Sequence, residues 1–178
     1  MNEHSLTLAG QPLTARPSGA LWWADAATLI VSDLHLGKSD RIARRSGYML
    51  PPYETRATLD KLDGLLETYN PSVGCCLGDS FDDLLAANSL GEVEKMQIAR
   101  QQAGRDWIWI EGNHDPGPVE FSGRHLASLV IEGVTLRHIA APDQPYDISG
   151  HYHPKCTVRG GTRPAFLIDD CRVILPAF

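Results

Sequence analysis

Cysteine is scarce in this 178-residue chain: there are four, and no two stand in a Cys-x-x-Cys spacing. A cysteine-built zinc site is therefore not indicated, and nothing requires a disulfide framework. Cys75 and Cys76 are neighbours in an apolar stretch, so on a strand they point to opposite faces and are poorly placed to bridge each other. Reduced thiols packed as small hydrophobes are expected, and nothing demands a Cys156–Cys171 pair. Long hydrophobic runs are missing too; none nears the roughly 20 residues that a membrane helix needs. Met1-Asn2-Glu3-His4 lacks a basic segment leading into an apolar one, so no secretory signal and a cytoplasmic location are expected. Nor is positive charge in surplus. Sixteen Lys and Arg against 22 Asp and Glu leave a net −6, which speaks against nucleic-acid binding over the whole surface but not against a local basic patch. No repeat, low-complexity segment or linker divides the chain, so one domain over residues 1–178 is expected.

The pattern of apolar residues changes along the chain. Residues 6–8 and 12–15 flank Ala9-Gly10-Gln11 and predict a hairpin, followed by short strands over 21–23 and 28–32. A basic helical stretch over 38–45 is stopped by Gly47 and Pro51-Pro52. Leu59, Leu62, Leu65, Leu66 and Tyr69 predict a helix over 53–69, and residues 73–77 a strand. Ser89 with Glu92 three positions on has capping-box spacing and predicts a helix over 90–102, before a strand over 107–110. Beyond Pro116 the reading is mostly β: 126–131, 134–138, 147–149, 156–158, 165–168 and 173–175. This makes an α/β fold with two packed sheets and helices outside.

Five motifs in fixed order carry the chemistry: Asp33-x-His35, Gly78-Asp79-x-x-Asp82, Gly112-Asn113-His114-Asp115, His138, and Gly150-His151-x-His153. Each follows an apolar stretch, and each supplies the oxygen or imidazole donors that bind transition metals. Donors at strand ends can converge on the edge of one sheet. Two cations about 3.5–4 Å apart can clamp the attacking and leaving oxygens of a phosphoryl transfer, which calls for a bridging carboxylate. Asp79 is the candidate bridge, because Gly78 allows close backbone approach. Asp33, His35 and His153 would complete one ion, and Asn113, His138 and His151 the other. His114 is expected to be no ligand but the acid that protonates the leaving group, with Asp115 orienting its ring. The nucleophile would be a hydroxide bridging the ions, attacking in line. Because imidazole ligands must be neutral, metal loss is expected as pH falls below about 6.

Taken singly these residues have ordinary explanations. A lone histidine such as His138 is commonly structural, Asp33 and Asp79 could form strand-end turns, and Asn113 could take a left-handed turn after Gly112. Their joint order is what makes the pattern specific. His4 and His125 belong to no motif and are read as structural; Asp82 is read as a support for the ligands and Asp83 as solvated.

With these motifs from Asp33 to His153 the sequence resembles the calcineurin-like metallophosphoesterases. The resemblance implies a four-layer αββα sandwich of the metallophosphoesterase type, two mixed β-sheets flanked by helices, with the metals at the strand ends. It implies the same ligand roles, with His114 as the acid. A narrower likeness rests on Asp33-Leu34-His35-Leu36-Gly37-Lys38, Gly47, Pro51-Pro52, Gly150-His151-Tyr152-His153-Pro154 and Leu175-Pro176-Ala177-Phe178. These resemble the bacterial ligase-associated DNA damage response endonucleases (the PdeM family). That likeness implies a small cytoplasmic, manganese-dependent enzyme of DNA repair, linked with a DNA ligase, a helicase and an exonuclease. The donor types suit manganese, iron or zinc.

Lys38, Arg41, Arg44 and Arg45 follow the first motif and are candidates for holding a phosphate backbone; Arg159, Arg163 and Arg172 form a second basic group. The bland alternative is a solvated helix face with scattered arginines. Two other functions compete with a DNA endonuclease: a phosphodiesterase or phosphatase for a small nucleotide-like substrate, and a non-catalytic scaffold of the same fold. A polymer needs an open groove with basic flanks, whereas a small substrate needs a lid, for which 178 residues leave little room.

Overall fold

Ala9 and Gly10 take φ of 52° and 80°, the left-handed turn that suits the twist of a tight hairpin. They join β1 (His4–Leu8) to β2 (Gln11–Ala15), much as the sequence predicts. The computed structural model describes residues 3–47 and 53–178. The chain continues through β3 (Leu21–Trp23), β4 (Thr28–Val31), α1 (Lys38–Ser46), α2 (Tyr53–Tyr69) and β5 (Val73–Leu77). Next come α3 (Leu84–Ser89), α4 (Glu92–Gln102), β6 (Asp106–Ile110), β7 (Arg124–Leu126), β8 (Ser128–Ile131) and β9 (Val134–Arg137). The last elements are β10 (Asp147–Ser149), β11 (Lys155–Val158), β12 (Gly161–Pro164), β13 (Leu167–Ile168) and β14 (Arg172–Ile174).

One sheet has the order β1-β2-β3-β4-β5-β6-β7, antiparallel up to β4 and parallel from β4 to β7. The other has the order β13-β14-β10-β9-β8, with β9, β10 and β14 parallel at its centre. Both sheets are mixed, as expected. They pack face to face: Leu8, Ile30, Cys75 and Ile108 of the first meet Val134, Leu136, Ile148 and Val173 of the second. The opposite face of the first sheet, with Leu29, Val31, Cys76 and Trp109, buries Leu59, Leu62 and Leu66 of α2 and Ile98 of α4. The adjacent cysteines thus serve two different cores, and burial lifts Cys75 to about 12 and Cys76 well above its ordinary value. All four cysteines are free. Among the described residues no helix follows β7, so the helical cover lies over the first sheet.

Several boundaries differ from the sequence reading. Gly47 does end α1, in the left-handed conformation with its N–H on Ala43 O, whereas Pro51-Pro52 lie outside the described residues. Ser89 does not cap α4; it ends α3, and its hydroxyl bonds Leu85 O and Asp40. Gly91 takes the cap position instead. Residues 126–131 are two strands, because at Ala127 the chain leaves the first sheet and enters the second. Strands β11 and β12 form a separate antiparallel ribbon with every residue exposed. No helix among the described residues is long and apolar enough to cross a membrane.

Candidate metal centre

Five parallel strands end at one rim. Past the carboxyl ends of β4, β5 and β6 come Asp33 with His35, Asp79, and Asn113; past β9 and β10 come His138, and His151 with His153. Loops at the carboxyl ends of parallel strands are where open α/β sheets place their ligands. The two sheets are tied together there. Within the first sheet the Asp33 N–H donates to Gly78 O at 3.2 Å; between the sheets the His151 N–H donates to Asp33 Oδ2 at 3.0 Å, and His138 Nδ1 lies 2.8 Å from Leu77 O.

That last bond sets the histidine's tautomer. A carbonyl can only accept, so Nδ1 of His138 carries the hydrogen and Nε2 of the neutral ring holds a bare lone pair. This Nε2 lies 3.0 Å from Asn113 Oδ1, 3.2 Å from His151 Nδ1 and 3.3 Å from Asp79 Oδ2. Next to it, His35 Nε2 and His153 Nε2 are 3.4 Å apart, with Asp33 Oδ1 3.2 Å from the latter. Electron pairs gathered this closely repel one another unless protons or cations lie among them. The donor atoms of Asp33, His35 and His153, and those of Asp79, His138 and His151, fall within 4.8 Å of one another in each set. Imidazole with carboxylate or amide oxygen fits manganese, iron or zinc.

Electrostatics link these two sets. Burial holds the His35 imidazole below its ordinary value, which favours the neutral ring that a metal needs, although the charge of Asp79 opposes this. Burial would also raise the Asp79 carboxyl, but His138 and the His114 N–H (2.8 Å) carry it down to about 2. For His138 burial acts downward, yet the Asp79 carboxylate lifts the ring above its ordinary value. Asp79 therefore acts on histidines of both sets.

The backbone is strained where the donors sit. Asp33, His35, Asp79, His151 and His153 have φ between 44° and 69°, and they are five of the ten non-glycine residues with positive φ among the described residues. Such conformations cost about 1–3 kcal/mol each and persist only where surrounding bonds enforce them. Two glycines permit the crowding. A Cβ on Gly112 would overlap Asp79 N and sit 2.5 Å from Asp115 Oδ1. A Cβ on Gly150 would collide with the Ser32 hydroxyl and sit 2.6 Å from Asp33 Oδ2.

Some expected roles change. Asp115 does not orient His114: its carboxylate is buried and accepts the N–H groups of Asp79 (3.0 Å), Ser80 (2.8 Å), Phe81 (3.1 Å) and Gly112 (3.0 Å). His114 Nδ1 meets the Asp82 carbonyl instead, at 2.9 Å, and its ring stands edge-on to His35, centroids 5.2 Å apart. Asp82 is buried, ion-paired with Arg41, and has Oδ1 3.1 Å from His35 Nδ1, though at an angle short of a hydrogen bond. Arg41 is thus committed to Asp82. Arg44 is committed to Asp40 and Asp83 at 2.7 Å. Neither guanidinium is a free phosphate holder. Asp83 is not simply solvated, since it also caps α3 through Ala86 N. Lys38 and Arg45 are exposed and ion-paired to no described residue. The motifs gave no sign of Ser32, whose hydroxyl donates to Asp33 Oδ2 at 2.6 Å, because a serine before an aspartate is commonplace.

The comparisons with known proteins bear on this rim. No curated protein matches the sequence significantly. Among solved structures, the crystal structure of Pseudomonas putida nuclease MPE is similar, with TM-score 0.78 and 26% identity, covering 99% of this chain and 86% of that one. The family model for calcineurin-like phosphoesterases matches residues 26–161, a span that holds every donor from Asp33 to His153. The chain belongs to the calcineurin-like phosphoesterase family and is a metal-dependent hydrolase of phosphoester bonds.

Proposed function

We propose that the protein is a dinuclear-metal phosphodiesterase that cuts DNA as an endonuclease. The observation that carries this reading is His138 Nε2 facing Asn113, Asp79 and His151 beside the second set of facing donors. Asp33, His35 and His153 would hold one divalent ion, Asn113, His138 and His151 the other, with Asp79 shared. When bound, the ions supply an activated water and positive charge against the phosphoryl oxygens. His114 then acts as proton donor. Its Nδ1–H is held by the Asp82 carbonyl, so the ring is fixed and Nε2 is left to meet the departing oxygen. Protonated, the ring donates at both nitrogens.

A polymer substrate is supported by the ribbon that follows His153. Strands β11 and β12 carry Lys155, Arg159 at the turn, and Arg163, with no acidic residue between Lys155 and Pro164. Ribbons of this kind can lie in a nucleic-acid groove, and their cations take phosphates. The likeness to a nuclease accords with this. A cytoplasmic place in DNA repair, beside a ligase, a helicase and an exonuclease, rests on the resemblance of the motif flanks alone, as does manganese as the metal.

The test is a turnover panel with added manganese: supercoiled DNA, single-stranded DNA, cyclic nucleotides and an aryl phosphodiester. DNA cleavage that vanishes in His114→Ala while metal still binds supports the proposal. Cleavage of cyclic nucleotides but not DNA would favour a small-substrate enzyme, and no turnover of anything would favour a scaffold.

A further inference from the structure

Arg137 closes β9 and stands directly before His138. A cavity of about 410 Å³ opens beside it, lined among others by Glu111, Asn113, Pro116, Arg137, His138 and Ile139. Two of these residues, Asn113 and His138, belong to the metal centre, so the cavity adjoins the reacting position. Its size falls in the range of small-ligand sites, roughly 300–1,000 Å³.

Arg137 differs from several other arginines of the protein. Arg41, Arg44, Arg124 and Arg172 are each bound to carboxylates. The Arg137 Nε is buried and has no hydrogen-bond partner, and among the described residues Arg137 forms no ion pair, although Glu111 lines the same cavity. A buried charged donor without an acceptor is costly, and an anionic oxygen is what it lacks. The cavity also has an apolar wall. Ile139 is 46% exposed, and Pro116 is exposed as well.

We infer that this cavity is a nucleotide subsite of the centre: Arg137 takes the non-reacting phosphate next to the scissile one, and Pro116 and Ile139 hold its sugar and base. Glu111 is an acceptor available to a sugar hydroxyl or base amine. The inference rests on the phosphodiesterase reading above but adds a residue outside every motif. A guanidinium fork suits phosphate better than an ammonium does, so Lys at this position would restore only part of the function.

The experiment reads binding and cleavage separately. Anisotropy of labelled octathymidylate on the metal-free protein gives affinity against salt for wild type, Arg137→Ala and Arg137→Lys. Arg137→Ala should weaken binding about tenfold and lower the slope of log K against log salt by about 0.7, one single-strand phosphate. Arg137→Lys should keep the slope and recover part of the affinity. With manganese, the ratio of oligonucleotide kcat/KM to that of an aryl phosphodiester should fall by a similar factor. Should the alanine variant fail to fold, Arg137→Gln answers the same question. Unchanged affinity and slope, or no octathymidylate binding by the wild type, overturns the subsite. Binding that depends on Arg137 without any cleavage would instead sink the nuclease reading and leave the subsite standing.

Discussion

The carboxylate of Asp115 accepts the backbone N–H of Asp79 at 3.0 Å, so the residue that follows His114 holds Asp79 in place from behind. The same two oxygens also take the N–H groups of Ser80, Phe81 and Gly112. Burial raises this carboxyl to about 6, yet near neutral pH it is ionised and each oxygen serves two donors. The strained φ of 47° at Asp79 is enforced by this clasp.

Replacing Asp115 with Asn should therefore act on the metal centre without touching a ligand. One oxygen becomes an amide that turns hydrogens toward the Ser80 and Phe81 N–H groups. Two buried donors lose their acceptor, at about 1–3 kcal/mol each. Urea unfolding of the metal-free variant should show a loss of about 2–6 kcal/mol, and manganese should bind more weakly. A variant as stable as the wild type, with normal metal affinity, would remove Asp115 from this role.

In the metal-free protein Asp79 and His138 should put opposite edges on the pH dependence of stability. Asp79 is depressed from 3.8 to about 2, so its contribution is present above 3.8 and is lost as pH drops toward about 2. His138 is raised above 6.5, so its contribution is present below 6.5 and is lost as pH rises through the higher folded value. Metal reverses the alkaline edge, because it needs the unprotonated ring. As pH falls, bound manganese should thus leave the His138 set at higher pH than the His35 set, where burial favours the neutral ring. Urea midpoints with and without manganese, and manganese occupancy followed by EPR across pH, check both edges. Single-step release of both ions, or a metal-free alkaline edge that persists in His138→Gln, would contradict this account.

The basic ribbon can be stripped without disturbing the cores, since all of β11 and β12 is exposed. In the combined Lys155→Ala, Arg159→Ala and Arg163→Ala variant, stability should stay within about 0.5 kcal/mol per substitution. The salt slope for DNA binding should fall by about 2–3, one phosphate for each lost cation. An unchanged slope would exclude the ribbon from contact with DNA.

How far the sequence could be read varies residue by residue. The helix Tyr53–Tyr69 was legible because Leu59, Leu62 and Leu66 repeat at helical spacing on the face that packs on the first sheet. Helix α3 was not, because six residues hold too few turns for a period to show. The run 126–131 read as one strand, since alternation cannot tell which of two sheets a residue joins. The seven donors were legible as short motifs, and the structure brings them to one rim. The duties of Asp115, Arg41 and Arg44 were not, because each depends on a partner some 35 to 41 positions away.

Local order along the chain sufficed to pick out the candidate donors, since metal chemistry selects residue types and strand ends place them. Which nitrogen of His138 faces the centre, which carboxylate steadies Asp79, and that Arg137 is left with an empty buried donor all arise from contacts between distant segments. Hydrogen bonding and desolvation act through space, so those assignments exist only once the two sheets have met.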